Sequence, residues 1–172
     1  DIRGMCIYGK ERNRLYLNQG NQKGIRFVDA AEYVGMSELT NSRGMSAVDL
    51  NKDGNLDLVV SHQFQKPTIY QNNSFEKKNW IGLELIGDGK QCNSSALGST
   101  VRIQYFNQIG ESISQMREAQ AATGFSGQNE ARIHFGLGDY QGAVQLTVNW
   151  CGKETRNYHH THMNQYQKII MN

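Results

Sequence analysis

Hydrophobic and polar residues alternate along most of the chain in short stretches bounded by Gly, Asn and Asp. A period of two places every second side chain on the same face of an extended strand. Helical character is limited to a one-turn piece at residues 30–35, because the helix formers at 115–122 lie within a strand pattern. We therefore predict an all-β protein with strands at residues 15–17, 25–28, 56–60, 68–70, 80–86, 100–106, 131–135, 144–148 and 167–170.

A polar, turn-rich stretch at residues 71–79 divides the chain into two regions. Before it, the pattern of residues 13–18 recurs at residues 66–72. The spacing between the two stretches is close to the length of one propeller blade, which is roughly 40–50 residues. Fewer than two blades fit there, so their open strand edges must be covered by the second region, another chain or residues upstream. We predict a truncated, partial β-propeller-like repeat region over residues 1–75 and an antiparallel β-sandwich or barrel-like domain over residues 79–172.

Charge and hydropathy exclude two classes of function. The 172 residues include 18 Lys and Arg against 16 Asp and Glu, and the net charge of +2 is scattered without a basic stripe. A row of phosphates needs such a stripe, so nucleic acid is not expected as a partner. The longest apolar runs are only a few residues, as at 56–60, and the mean hydropathy is −0.64. No membrane span is predicted, since a span needs about 20 apolar residues.

The start of the chain and the cysteines are the two features relevant to the cellular compartment of the protein. The sequence begins at Asp1 without a charged and apolar leader, so we expect that an export signal has been removed or lies outside it. Cys6, Cys92 and Cys151 are far apart and fit neither a metal knuckle nor a disulfide-dense scaffold. At most one disulfide can form among them, and none is required.

The sharpest chemical pattern is the nine-residue stretch that begins at Asp49 and ends at Asp57. Oxygen-bearing side chains stand at its first, third, fifth and ninth positions, and a tight loop can gather them around one ion. Ca²⁺ favours six to eight oxygen ligands, and a backbone carbonyl of the loop can add one more. The sequence therefore predicts a Ca²⁺ site formed by Asp49, Asn51, Asp53, the carbonyl of Asn55 and Asp57, with water completing the shell.

The residues after this loop distinguish it from an EF-hand. An EF-hand loop ends with a bidentate Glu at position twelve and enters a helix, whereas Val60 occupies that position within a strand-like run. Gly54 stands where the chain must reverse, and Gly adopts a positive φ at little cost. An Asp/Asn/Gly turn without an ion is the alternative, although three carboxylates in nine residues would repel one another. A saturated oxygen cage indicates a structural rather than a catalytic ion.

Around this loop the sequence resembles an FG-GAP/VCBS calcium repeat of the integrin-like β-propeller type. The resemblance is carried by residues 43–48 before the loop and by residues 58–60 and 68–72 after it. Residues 13–20 and 25–35 resemble the outer strands of a preceding blade, and Asp1-Ile2 resembles the end of that blade's own calcium loop. The resemblance implies that the chain begins within a propeller.

From residue 79 to residue 170 the chain resembles the ASPIC/UnbV domain, which follows such repeats in cartilage acidic protein and in bacterial exported proteins. Cys151 stands where that family usually has Pro, and Gly127 stands where Ser commonly precedes Gln. The family implies an extracellular or periplasmic setting and a binding or adhesion role, without established catalytic residues. The resemblance is carried by residues 79–81, 93–101, 124–128, 134–138 and 148–150.

Two further groups of residues have alternative interpretations. His159, His160 and His162 are clustered in the sequence. In a strand His160 and His162 would share a face and could hold a transition metal, with His134 or a carboxylate as a third ligand. Polar loops often gather His without an ion, and His134 is expected first as the polar side of a strand. Aromatic residues could form a sugar platform, although a core position is favoured for the two Trp residues. These aromatic residues are Trp80, Trp150, Phe106, Phe125 and Tyr140.

Together these features predict a non-catalytic, calcium-stabilised, secreted binding or adhesion module whose partner is an extracellular protein or a glycan. One alternative is a metal-dependent enzyme that uses the cluster of His159, His160 and His162. The other is a truncated scaffold that forms a homo-oligomer through its exposed strand edges.

Overall fold

The computed structural model describes residues 11–20, 24–74, 76–125, 127–160 and 162–171. Cys6 and the predicted loop end at Asp1-Ile2 lie outside these residues. Within them the chain forms β-strands and no helix, and none of the sheets closes into a barrel, which confirms the all-β class.

In its described residues the repeat region forms three small antiparallel sheets. These pair β1 with β4, β2 with β3, and β5 with β6 and β7 in the order β5-β6-β7. Residues 31–35 form a turn where a one-turn helix was predicted, and Gly35 ends it with a φ of +78°. The strands are β1 Glu11–Arg12, β2 Tyr16–Asn18, β3 Phe27–Asp29, β4 Leu39–Thr40, β5 Ser42–Val48, β6 Asp57–His62 and β7 Thr68–Tyr70.

Asp29 links the first strands of this region. Its carboxylate accepts hydrogen bonds from the backbone N–H of Ala31 at 3.1 Å and from the guanidinium of Arg12 at 2.9 Å. These bonds lower the pKa of the Asp29 carboxyl to about 2. The carboxylate therefore stays ionised throughout the usual pH range.

The repeat region leaves many apolar side chains exposed. Its buried apolar residues are few and mostly small, with Ala31, Met36 and Val60 the most enclosed. A β-sheet normally stabilises itself by burying one face against another layer. The exposed apolar side chains include Tyr16, Leu17, Ile25, Phe27, Val28 and Ile69.

The C-terminal domain is a sandwich of two sheets around one hydrophobic core. The four-stranded sheet has the order β10-β9-β12-β13, and the three-stranded sheet has the order β11-β8-β14. Core residues such as Phe135, Ile103 and Leu146 come from both sheets and are fully buried. The strands are β8 Asn79–Ile86, β9 Thr100–Phe106, β10 Ser112–Glu118, β11 Ile133–Gly138, β12 Val144–Trp150, β13 Glu154–His160 and β14 Tyr166–Ile170.

One strand pair differs from the predicted antiparallel arrangement. β14 runs parallel to β8, with Tyr166 opposite Gly82 and Ile170 opposite Ile86. The chain crosses from β13 in one sheet to β14 in the other, so these two strands do not form a hairpin and β14 is free to run in the direction of β8. The domain is therefore a mixed sandwich.

A disulfide closes the sandwich beside its core. It joins Cys92 to Cys151 across 59 residues, with a Cα–Cα distance of 5.4 Å. The sequence alone had left this pairing open. The bond ties the loop after β8 to the turn between β12 and β13.

Candidate metal loop and its contact with the C-terminal domain

Two buried carboxylates hold the loop between β5 and β6 in shape. Asp49 Oδ1 accepts the N–H of Asp53 at 3.0 Å, and Asp49 Oδ2 accepts the N–H of Gly54 at 3.0 Å. Asp57 Oδ2 accepts the N–H of Leu50 at 3.1 Å. Both carboxylates are about 1% exposed. The loop therefore folds around its own first and last acidic residues.

The middle of the loop is exposed to solvent. Asp53 Oδ2 accepts a hydrogen bond from the side-chain amide of Asn51 at 2.8 Å, and Oδ1 accepts the N–H of Asn55 at 2.8 Å. The bond from Asn55 is the main cause, and that from Asn51 the second, of the lowered pKa of the Asp53 carboxyl. Gly54 has a φ of +90°, as expected for the residue at the reversal.

The donor chemistry of the loop fits Ca²⁺. A carboxylate has about four lone-pair sites. The hydrogen bonds present use two of those sites on Asp53, and the amide and carbonyl oxygens of Asn51 and Asn55 add neutral donors. In the arrangement present, however, no group of three or more His, Cys, Asp or Glu side chains is positioned to hold a metal among the described residues. All five predicted ligands thus share one loop, whose three carboxylates are not grouped as a metal site in this arrangement.

The C-terminal domain packs directly on the turn of this loop. A Cβ added at Gly54 would lie 1.9 Å from Trp80 Nε1, so the indole of Trp80 rests against the glycine backbone. His134 Nε2 donates a hydrogen bond to the carbonyl oxygen of Gly54 at 2.9 Å. The imidazole of His134 also stacks on Trp80, with ring centroids 5.4 Å apart and planes at 17°. Burial lowers the pKa of His134, which favours the neutral ring.

Asp49 is contacted by the same domain through both its backbone and its side chain. Tyr166 donates its hydroxyl to Asp49 Oδ2 at 2.7 Å, and burial followed by this bond raises the pKa of Tyr166. Glu130 Oε1 accepts the N–H of Asp49 at 2.9 Å, and Arg132 Nη2 donates to its carbonyl oxygen at 3.1 Å. The guanidinium of Arg132 also lies 3.9 Å from the ring centre of Tyr166 and pairs with Glu130.

Residues 127–130 cover the outer edge of β5. The N–H of Ala47 donates to Asn129 Oδ1 at 2.8 Å, and the N–H of Glu130 donates to the carbonyl oxygen of Ala47 at 3.3 Å. A Cβ at Gly127 would lie 2.4 Å from the carbonyl oxygen of Met45, so Gly allows a close approach here that Ser would obstruct. The second region thus covers one of the predicted open edges.

Sequence reasoning did not identify Glu130, Arg132 or Tyr166 as partners of the loop, and it assigned His134 only to the polar side of a strand. The signal that could have found three of them is their spacing, because Glu130, Arg132 and His134 alternate with apolar residues and so share one face. That strand position of His134 is observed. Tyr166 carries no comparable local signal.

The outcome for the other predicted site residues differs between the histidine cluster and the two Trp residues. β13 ends at His160, and His159 on that strand is exposed, as is His162 beyond it. The side chain of His160 is outside the described part of the chain, so the cluster stays a prediction. Trp80 and Trp150 are 6% and 0% exposed, which supports the core interpretation for both.

Fold and site together define an all-β protein in which a repeat region with an Asp-rich loop packs on a C-terminal sandwich. Residues 5–60 match the family described as FG-GAP-like repeat, and residues 89–171 match the family described as ASPIC and UnbV. The chain thus carries an FG-GAP-like repeat followed by an ASPIC/UnbV domain, which confirms the predicted resemblance to these two families.

A search of curated proteins found no match to the chain. FG-GAP-like repeats are typical of extracellular proteins. The described residues contain no helix with the length and apolar character needed to cross a membrane.

Proposed function

We propose that this protein is a non-catalytic, extracellular binding or adhesion module whose loop 49–57 is stabilised by Ca²⁺. The supporting observation is the isolation of two buried charges. Asp49 and Asp57 are almost fully buried, and their partners are N–H groups and one hydroxyl. Among the described residues, no Lys or Arg forms an ion pair with either carboxylate. Buried charges without a counter-charge are costly, and a cation would compensate them.

The ion would be held by the carboxylates of Asp49, Asp53 and Asp57, the side-chain oxygen of Asn51 and the carbonyl of Asn55. When bound, Ca²⁺ would supply positive charge that offsets the repulsion between the carboxylates. This chain's own residues shape and position the loop. They fold the loop through the N–H bonds to its first and last carboxylates and hold it against the C-terminal sandwich.

The disulfide and the proposed calcium site both favour an extracellular or periplasmic setting. The disulfide between Cys92 and Cys151 would persist in an oxidising compartment and is uncommon in reducing cytosol. Extracellular calcium modules typically bind the ion with Kd values of about 10⁻⁴–10⁻³ M, which matches extracellular rather than cytosolic calcium. The FG-GAP-like repeat agrees with this setting.

The partner we propose is an extracellular protein or a glycan. Homo-oligomerisation through open strand edges is the alternative, and the covering of the β5 edge by residues 127–130 removes one of the edges it could use. Light scattering of the full chain would separate the two, because edge pairing predicts a concentration-dependent dimer.

Thermal unfolding of the full chain in millimolar Ca²⁺ and in chelator tests the calcium site. We expect a higher Tm with Ca²⁺, because the ion binds only the folded loop. Asp53→Ala should abolish this difference, since it removes a proposed ligand, and the variant is expected to fold because the Asp53 side chain is exposed.

Asp88→Ala provides the matched control for that variant. Asp88 also caps a loop by accepting N–H bonds, from Lys90, Gln91 and Cys92, but it lies outside the metal loop. Its replacement should lower the baseline Tm and leave the Ca²⁺-dependent increase intact. Identical melting curves of the unsubstituted chain in chelator and in Ca²⁺ would contradict the proposal.

A further inference from the structure

A groove of about 370 Å³ lies at one end of the C-terminal sandwich, between the β9–β10 hairpin and the turn from β11 to β12. Its apolar lining is formed by Tyr105, Ile109, Ile113, Leu137 and Tyr140. None of the residues of the Asp-rich loop lines it. The groove is therefore a feature of the sandwich alone.

An aromatic pair forms one wall of this groove. The rings of Tyr105 and Tyr140 have centroids 4.4 Å apart and planes at 34°, and both side chains are half-buried. Tyr140 donates its hydroxyl to the carbonyl oxygen of Ala143 at 2.7 Å, and a Cβ at Gly142 would lie only 2.4 Å from that hydroxyl. The position of the Tyr140 ring is thus set before any ligand arrives, which lowers the entropy cost of binding.

The rim of the groove is polar but has no free positive charge. Gln108 is exposed, and its side-chain amide makes no hydrogen bond within the part of the chain that the structure describes. The carboxylate of Asp139 accepts from Lys78 Nζ at 3.0 Å, so its charge is compensated. Lys, Arg and His are absent from the described residues that line the groove. Hydrogen bonding is available here without a net charge to attract an ion.

These features select among classes of ligand. Sulfated or carboxylated glycans and phosphates are bound chiefly by Arg and Lys, which this groove does not offer. A neutral pyranose presents an apolar C–H face and a rim of hydroxyl groups. That combination matches an aromatic wall bordered by an amide and a carboxylate.

We infer that this groove binds a neutral pyranose unit of a glycan. The C–H face of the sugar lies on the pair formed by Tyr105 and Tyr140, and its hydroxyl groups bond to the amide of Gln108 and the carboxylate of Asp139. The inference rests on the binding role proposed above, and it assigns that role a ligand class and a place. The proposed glycan site does not require the Ca²⁺ ion proposed for loop 49–57.

Saturation-transfer NMR on the full chain tests this inference. The probes are cellotetraose, mannotetraose and chitotetraose as neutral glycans, with a heparin tetrasaccharide as the charged comparison. We expect saturable binding of at least one neutral probe, with the strongest transfer at ring C–H protons. Tyr105→Ala and Gln108→Ala should each weaken that binding, Tyr105→Ala by about tenfold because it removes an aromatic contact.

Tyr33→Ala is the matched control, because Tyr33 is 91% exposed and lies outside the groove, and it should bind as the unsubstituted chain does. If Tyr105→Ala fails to fold, Gln108→Ala still decides, since Gln108 is an exposed turn residue that is not part of the buried core.

Three outcomes would overturn the inference: no neutral probe binds the folded chain, only the heparin tetrasaccharide binds, or binding is unchanged in Tyr105→Ala and Gln108→Ala. Failure of the calcium proposal is separate from these, because it is measured as a Tm that does not respond to chelator. Capture of an extracellular protein by a chain that binds none of the neutral probes would keep the general binding role and remove the glycan.

Discussion

The contact between Gly54 and Trp80 predicts that the metal loop and the C-terminal sandwich depend on each other for stability. The perturbation is Gly54→Ala, which adds one methyl group at the turn of the loop. That methyl carbon would lie 1.9 Å from Trp80 Nε1, and Trp80 is only 6% exposed, so the indole cannot simply move into solvent. The loop or the ring must shift.

Two costs contribute to the predicted loss of stability. The φ of +90° at Gly54 disfavours any residue with a Cβ by about 1–2 kcal/mol. Overpacking against Trp80 adds about 1–3 kcal/mol. Gly35→Ala isolates the first cost, because Gly35 has a φ of +78° and nothing within 4 Å of an added Cβ. We therefore expect Gly54→Ala to lose about 1–3 kcal/mol more than Gly35→Ala.

Urea unfolding followed by Trp fluorescence measures this difference. The two variants and the unsubstituted chain should show similar m-values, so that shifts in midpoint report stability alone. Equal losses in Gly54→Ala and Gly35→Ala would refute the reasoning, because they would mean that the loop does not press on Trp80 in solution.

Three further changes should give defined results. Tyr166→Phe removes a hydrogen bond to a buried carboxylate and should cost about 1.5–3 kcal/mol in urea unfolding, whereas Tyr33→Phe should cost nothing measurable. Replacing Cys92 and Cys151 with Ser should cost about 4 kcal/mol for a separation of 59 residues, and equal stability of the reduced and oxidised chains would contradict this estimate. Because the folded pKa of Asp29 is depressed to about 2, its contribution is present above about pH 4 and is lost as the pH falls toward 2. Asp29→Asn should flatten the acid limb of a Tm-against-pH curve, and an unchanged limb would argue against this assignment.

Strand prediction succeeded where one face of a strand is buried. β9 and β12 alternate between buried and more exposed residues, so their sequences show the period of two directly. β13 is an edge strand with a mostly polar sequence, and no alternation marked it. The direction of β14 could not be predicted either, because hydrophobic alternation looks the same in parallel and antiparallel strands.

In the metal loop, contacts between residues close in sequence could be predicted, whereas contacts with residues far away in sequence could not. Its internal hydrogen bonds join residues two to seven positions apart, so the residues that form the loop could be predicted from their spacing along the chain. Its outer partners are remote in sequence. Tyr166 is 117 residues from Asp49, and Glu130 is 81 residues away, so no local pattern connects them to the loop.

By itself the sequence determined the all-β class, the two families in their order and the acidic loop. Each of these depends on residue patterns that extend over only a few positions along the chain. Only the tertiary structure decided that Cys92 pairs with Cys151, that residues 127–130 cover the edge of β5, and that the loop rests on Trp80. Each of these depends on the path by which the chain returns to a distant segment. That path is set by packing of the two sheets around a shared core, which no local pattern of residues records.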